Sequence, residues 1–321
     1  MPANATAKPL SSTETQLEIL RMQLAQKLMR WLPIEGMVES EIDGVTLVRG
    51  DGCSGCIGTL YEPSLAFMIQ GAKSVQLGDR EIRYGPLSYL VTSVHLPVIG
   101  QVIEAAPDQP YLGIKLKLDP QEVTDLLLAM GDLAPDPGRA GDCPDAACGM
   151  CQAQMDEPLL QALSRLASLL DSPADIPVLA PLARRELLYR ALLGELGPRM
   201  RRFIMSDSQA ARVSRVIATL KDRYSEPLRI SDLASQANMS ESSLFHSFKQ
   251  ITRMTPLQYQ KKLRLHEARR LMVSEGLEAA SASYRVGYES PSHFSREYSR
   301  LFGAPPKADV SRLRGEERLP A

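Results

Sequence analysis

The chain has 321 residues, 44% of them hydrophobic, with 37 Lys+Arg against 38 Asp+Glu and five cysteines. Such a length suits two or three domains and excludes a single small module. No apolar run reaches the roughly 18 residues of a membrane span, and the first twenty residues lack a basic stretch followed by an apolar one, so the expectation is a cytoplasmic chain with no membrane partner. An odd cysteine count in a chain able to build a real core argues against a disulfide scaffold and leaves thiol or metal chemistry open.

The net charge of -1 conceals an asymmetry. Residues 209–321 carry 19 Lys+Arg against 12 Asp+Glu, whereas residues 1–208 carry 18 against 26. A basic C-terminal third suits a polyanionic partner, although an ordinary solvated surface gives the same count.

Taken in chain order, Leu17, Leu20, Leu24, Leu28 and Trp31 recur at helical spacing and predict one amphipathic helix ending near Pro33. From Gly44 to Leu118 the pattern changes to short β-branched and aromatic runs, among them Val45 to Val48, Leu65 to Ile69, Val75 to Leu77, Ser88 to Val94 and Tyr111 to Leu118. Glycines and prolines punctuate them at the spacing of an all-β barrel or sandwich of about seven or eight strands. Residues 131–151, with four glycines and three prolines, read as a long loop that holds three of the five cysteines. Leu159 to Leu170 then form a helical stripe, Pro173 to Pro181 interrupt it, and Leu182 to Leu196 form another. These helices suit either packing on the barrel or pairing of two subunits.

The last 110 or so residues contain a weak repeat in which Leu244, Phe248, Ile251, Pro256 and Ala237 recur as Phe294, Tyr298, Leu301, Pro306 and Gly287. In the first copy, Ile230 to Ala237 reads as a short helix, Asn238 to Ser240 as a tight turn, and Glu241 to Ile251 as a second helix with Leu244, Phe248 and Ile251 inward. In the second, Ser290 before Pro291 is an N-cap with proline at the first helical position, and the helix it opens runs to Phe302 with Phe294, Tyr298 and Leu301 inward. Each copy is a helix-turn-helix, whose second helix can enter the major groove. Between them Thr255 and Pro256 open a longer helix through Met272, whose polar face carries Lys261, Lys262, Arg264, Arg269 and Arg270. That helix would hold the two units apart, and a separation of about 34 Å would place both on one face of the duplex.

The stretch ISDLASQANMSESSLFHSFKQITRMTPLQYQKKLRLHEARRLM, followed by YRVGYESPSHFSREYSRLFGAPPK, resembles the AraC/XylS family of bacterial transcription regulators, and G-Y-E-S-P-S-H-F-S-R-E-Y is its most specific part. The segment YEPSLAFMIQGAKSVQLGDREIRYGPLSYLVTSVHLPV is similar to the cupin-type sensor of one subgroup of that family. The resemblance implies ligand-modulated transcription control, usually activation, by a homodimer that meets promoter DNA and RNA polymerase. Matched position by position, it implies groove-facing places at Ser242, Ser243 and His246 in the first unit and at Ser292, His293, Ser295 and Arg296 in the second. Arg296 suits bidentate bonding to guanine, and Lys249 suits phosphate.

For the sensor end, a metal-cupin enzyme is a poor fit, because His95 is alone in the barrel while His246, His266 and His293 lie in the C-terminal region. Cys53-Ser-Gly-Cys56 and Cys148-Gly-Met-Cys151 are two C-x2-C pairs, the ligand set of a structural zinc ion. Zinc on those four thiolates, a metal-free redox or electrophile-sensitive thiol site, and unrelated surface cysteines all remain open, with Cys143 a spare thiol. The other signal class is a small organic molecule in the barrel, gated by Tyr61, Phe67, Met68, Tyr84 and Tyr89, although such residues also serve as plain core. The expected architecture is α+β: an N-terminal segment and helix (1–35), a cupin-like β-barrel sensor and dimerisation domain with helices (36–205), an all-α double helix-turn-helix (206–310) and a tail (311–321).

Overall fold

The structure is a computed structural model that describes residues 12–136, 148–205 and 208–314. Two antiparallel sheets face each other and make the cupin-like body. The larger is ordered β1 (Gly36–Glu39), β2 (Val45–Gly50), β9 (Tyr111–Lys117), β4 (Ser64–Gln70), β7 (Ser88–Thr92) and β10 (Met150–Gln154). The smaller is ordered β3 (Ile57–Tyr61), β8 (Leu96–Glu104), β5 (Ala72–Leu77) and β6 (Arg80–Tyr84). The described residues thus hold ten strands rather than seven or eight. One of the additional strands, β10, pairs with β7 in a ladder such as Cys151 opposite Val91, a partner far back in the chain that local periodicity does not reveal.

That strand also shortens the expected loop. Cys148 is already buried, β10 begins at Met150, and residues 137–147, including Cys143, lie outside the described residues. Helix α1 (Ser12–Trp31) covers the outer face of the larger sheet with Leu24 and Leu28, while α2 (Pro120–Met130) is capped by the Asp119 carboxylate. Helix α3 (Glu157–Ser168) buries its leucine stripe as expected. The next helix, α4 (Ile176–Leu193), runs through Pro181 rather than starting after it. Pro177 and Pro181 are both exposed, so the Pro177 carbonyl that loses its helical donor faces water.

After α5 (Gly197–Ile204) come α6 (Gln209–Asp222), the first helix-turn-helix of α7 (Ile230–Gln236) and α8 (Glu241–Thr252), the linking α9 (Pro256–Ser274), and the second unit of α10 (Ala279–Arg285) and α11 (Pro291–Phe302), closed by α12 (Pro306–Leu313). The expected caps at Thr255 and Ser290 are present and Ser240 supplies a third: each accepts from the amide three residues on, and Thr255 with Gln258 completes a capping box. A cap of this kind contributes about 1 kcal/mol, so these helix starts are fixed by their own first turns. One inward position differs. Leu301 is only half-buried, and Phe302 is the buried residue at the end of α11.

The buried apolar cluster runs without a break from the barrel into α6, α8 and the first half of α9, whereas Leu265 to Phe302 form a second cluster. The sensor touches both helix-turn-helix units. Toward the first, Gly149 N–H donates to Ile251 O at 3.0 Å, and Gly78, at φ +62°, lies against the Arg253 backbone. Tyr259 Oη, on α9, donates to His95 O at 2.7 Å. Toward the second, Gly58 packs under the rings of Phe302 and His266, and Arg269 Nη1 donates to Gly58 O at 3.1 Å. A Cβ at position 58 would stand 3.1 Å from the Phe302 ring, tighter than ordinary packing, so a glycine inside this edge strand lets the ring sit close.

Candidate nucleic-acid interface

The hydrophobic stripe of α8, Leu244, Phe248 and Ile251, is buried, which turns Ser242, His246 and Lys249 outward as exposed residues. Ser243 is half-buried, its hydroxyl 3.4 Å from Gln209 Nε2. On α11 the buried Phe294 and Tyr298 turn Ser292, His293 and Arg296 outward, and Ser295 is half-buried. Both helices therefore present a polar face around the same structural stripe. His293 is also held by its own unit: Nε2 lies 3.4 Å from Glu297 Oε1 and its ring meets Tyr288 edge-on.

Among the described residues neither Lys249 nor Arg296 forms an ion pair or a side-chain hydrogen bond, so each offers an uncommitted cation. Between the units lies a cleft of about 1050 Å³ whose walls include His246, Lys249, Arg253, Lys261, Lys262 and Arg300. The sensor turn Gly78–Asp79 reaches its edge. Sequence reasoning missed Phe245. It is 44% exposed on α8 between the outward Ser242 and Lys249, and its signal was an aromatic side chain off the buried stripe. An exposed ring there can pack on a thymine methyl group.

The linking helix is less uniformly solvated than its sequence implied. Arg264 donates to the carbonyls of Tyr224, Ser225, Glu226 and Gly287, and Arg269 pairs with Asp309 at 2.7 Å. The Asp309 carboxylate is fully buried: burial pushes its pKa up, but hydrogen bonds from Arg269, Tyr298 and Arg312 hold it below the usual carboxylate value. These ties lock α9 to the elements on either side and so fix the separation of the recognition helices.

Residues 41–199 match the model of the AraC-type transcriptional regulator N-terminus, and residues 233–312 match a helix-turn-helix domain model. The chain belongs to the AraC family of transcription regulators. Among curated proteins this AraC-family chain is similar to the HTH-type transcriptional activator RhaS of Salmonella paratyphi B, at 28% identity over 156 residues, and of Escherichia fergusonii, at 29% over 155. Each match takes in 48% of this chain and 55% of the relative, so the chain spans about half the length of the curated relatives it matches. Among solved structures, unsaturated fatty acid bound wild-type ToxT from Vibrio cholerae strain SCE256 superposes with a TM-score of 0.55 at 12% identity, covering 86% of this chain and 96% of ToxT. ToxT from Vibrio cholerae O395 bound to (E)-4-(8-methylnaphthalen-1-yl)but-3-enoic acid gives 0.54 at 11%, covering 84% and 98%. At that identity the likeness shows a shared fold.

In the sensor of this AraC-family chain the four cysteines are not brought together. Cys53 and Cys56 are exposed before β3, where their thiols reach Ile103 O and Gln101 Oε1 on the smaller sheet. Cys148 and Cys151 are buried at the start of β10 on the larger sheet, with Arg199 Nη1 2.6 Å from Cys151 Sγ. Among the described residues no three His, Cys, Asp or Glu side chains gather as metal ligands. The two pairs belong to different sheets, which is why matched spacing in sequence does not become one tetrahedral site.

Burial pushes the Cys151 thiol up despite the nearby Arg199 guanidinium. His95 is an interface residue rather than a core one: its Nε2 lies 2.9 Å from Lys221 Nζ, and burial, followed by Lys221, lowers its pKa to about 4. Of the residues expected to gate the barrel, Tyr89 and Phe67 stack on each other on the helix-covered side, with Tyr89 Oη against Gly194. Tyr61 and Tyr84 lie instead with Lys73 on the inner face of the smaller sheet.

Proposed function

We propose that this chain is a sequence-specific, DNA-binding transcription regulator that activates at its promoter when the sensor domain takes up a small organic ligand. The observation that carries the reading is the pair of capped helices, each presenting an exposed polar face and an uncommitted cation, joined by one helix tied to both units. Activation follows the printed function of the RhaS relatives, and a small organic ligand follows the acids bound in the ToxT structures. Residues Ser242, Ser243, His246, Phe245, Ser292, His293, Ser295 and Arg296 would meet base edges, and Lys249 phosphate. RNA polymerase and a second copy of the chain are the protein partners. The second copy would use the N-terminal half of α4, where Val178, Leu179 and Leu182 form an exposed apolar strip. No catalytic role is assigned, since His95 is committed to the contact with α6 and α9. Among the described residues no helix is long and apolar enough to cross a membrane, and the reading places the chain in the cytoplasm with its promoter.

Footprinting on duplexes selected from a random pool tests the reading. Two protected major-groove segments on one face support it, and an absence of selected sequence refutes it. A second reading, in which the signal is redox modification of Cys148 or Cys151, rests on Gly149 between them, whose amide holds the last turn of α8. Loss of an oxidant's effect on DNA affinity in Cys148→Ser and Cys151→Ser would support that route.

A further inference from the structure

The second recognition helix carries a carboxylate in the midst of cations. Glu297 belongs to the wall of the cleft between the units, whose other walls include Lys249, Lys262 and Arg300. Both of its oxygens are committed: Lys261 Nζ on α9 donates to Oε1 at 2.7 Å, and Tyr288 Oη, in the turn before α11, donates to Oε2 at 2.8 Å. Burial alone would push this carboxyl up, but those two hydrogen bonds hold it below the usual carboxylate value, so it is charged at neutral pH. A negative charge there repels the phosphates that the cations of the cleft attract. Neutral groups could tie α9 to α11 without that repulsion, so the tie does not by itself account for a carboxylate.

The reason lies one helical turn back. His293 precedes Glu297 by four residues on α11, a spacing that places both side chains on one face, and its Nε2 stands 3.4 Å from Glu297 Oε1. The ring is restrained from other sides as well. The Ser290 cap holds its backbone, with His293 N 3.3 Å from Ser290 Oγ, and the Tyr288 ring meets it edge-on at 5.8 Å. Lys261 and Tyr288 in turn keep the carboxylate from swinging away. A carboxylate accepts hydrogen bonds and has none to give, so the ring nitrogen that faces it carries the hydrogen. In a neutral imidazole the other nitrogen, Nδ1, is then an acceptor. In the major groove the donors are the N4 amine of cytosine and the N6 amine of adenine, whereas guanine and thymine offer acceptors.

We propose that Glu297 is a positioning residue that holds His293 with Nδ1 toward the duplex as an acceptor, so that the second unit reads the amine of a cytosine or an adenine there. This rests on the DNA-binding reading above and names the edge that His293 recognises. It also gives α11 two readers of opposite sense. Arg296, three residues on, can only donate, and His293 accepts.

The test uses the full chain at about pH 8.5, above the ordinary histidine range. Duplexes are selected from a random pool, and the amines of the second segment are then removed one at a time, with purine in place of adenine and pyrimidinone in place of cytosine. The expected result is one amine whose removal weakens the parent by about fivefold or more and leaves His293→Ala unaffected. Glu297→Ala should lose that sensitivity, and Glu297→Gln should keep most of it, because its amide oxygen still accepts from Nε2. Glu297→Met, of similar length without an acceptor oxygen, takes the place of Glu297→Ala if the latter does not fold. In the His293→Ala background, Glu297→Ala should change the sensitivity no further. An amine sensitivity that survives in Glu297→Ala overturns the proposal and makes Glu297 a structural tie, whatever happens to melting temperature or to overall affinity. If the parent selects a sequence but no amine is coupled to His293, this inference alone falls, and if the parent selects no sequence, the regulator reading falls.

Discussion

The amide of Gly149 donates to the carbonyl of Ile251 at 3.0 Å, and the carbonyl of Gly149 accepts from Ser93 at 2.8 Å, so one residue bolts the edge of the sensor sheet to the last turn of the first recognition helix. A Cβ at that position would stand 2.9 Å from Val94 Cγ2 and 3.2 Å from Ile251 Cγ2. Gly149→Val should therefore push α8 off the sensor while leaving its own cap intact. The expected outcome is an altered affinity for duplexes carrying both recognition segments with little change for a duplex carrying only the first, checked by fluorescence anisotropy on the two.

At the DNA face, the two uncommitted cations should separate by role. Arg296→Ala is expected to relax discrimination at about one or two base pairs by roughly 1–3 kcal/mol. Lys249→Ala should weaken all duplexes alike and flatten the salt dependence by about one unit of slope. Selection from a random pool combined with a salt titration distinguishes these outcomes, and identical changes in both variants would contradict the assignment.

The pair of Arg269 with the fully buried Asp309 supports the second unit from behind. Removing one member strands the other, at a cost of about 3–5 kcal/mol. Asp309→Ala should lower the thermal midpoint and lose protection at the Arg296 segment while the first segment stays protected.

Acid should loosen the contact between sensor and DNA-binding region. Burial holds His95 at about 4 and His266 at about 3, both below the ordinary histidine value of about 6.5. The folded chain keeps these rings neutral and the unfolded chain protonates them, so their contribution is fully present above about pH 6.5 and is lost as pH falls toward 4 and then 3. His95→Gln and His266→Gln should each show a shallower fall in melting temperature than the parent between about pH 6.5 and pH 4.5. Parallel curves would show that neither ring titrates with unfolding.

If two copies associate through α4, Leu182→Glu should give a monomer in light scattering without loss of helix content, because Leu182 is 63% exposed in the single chain.

What was legible in the sequence was mostly what is local. Ser240, Thr255 and Ser290 start their helices through hydrogen bonds three residues long, and the buried stripes recur at the same spacing in both units, so the helix-turn-helix pair could be read residue by residue. The rest depends on partners far away along the chain. Leu301 looked inward by periodicity, yet Phe302 is buried because Gly58 of the sensor leaves it a place. The β-branched and aromatic runs of β4 and β7 gave the right strands but not the face on which Phe67 and Tyr89 lie, since that is decided by α1 packing on β4 and by the end of α4 at Gly194. The C-x2-C pairs matched each other in spacing but not in sheet. Lys73 drew no notice at all, because a lysine beside valine and leucine in a strand reads as an exposed position until the opposite sheet is in place.

The shortness of β3 has one more consequence. Tyr61 and Gly58 are separated by three positions on a strand held along its length by β8. Coupling between two binding events is symmetric in free energy. Whatever factor a ligand of the sensor applies to the grip on a duplex, the duplex applies to the grip on that ligand. A promoter with the fitting half-site spacing would then act as an effector in its own right, and the same concentration of ligand would load the sensor more fully at one operator than at another.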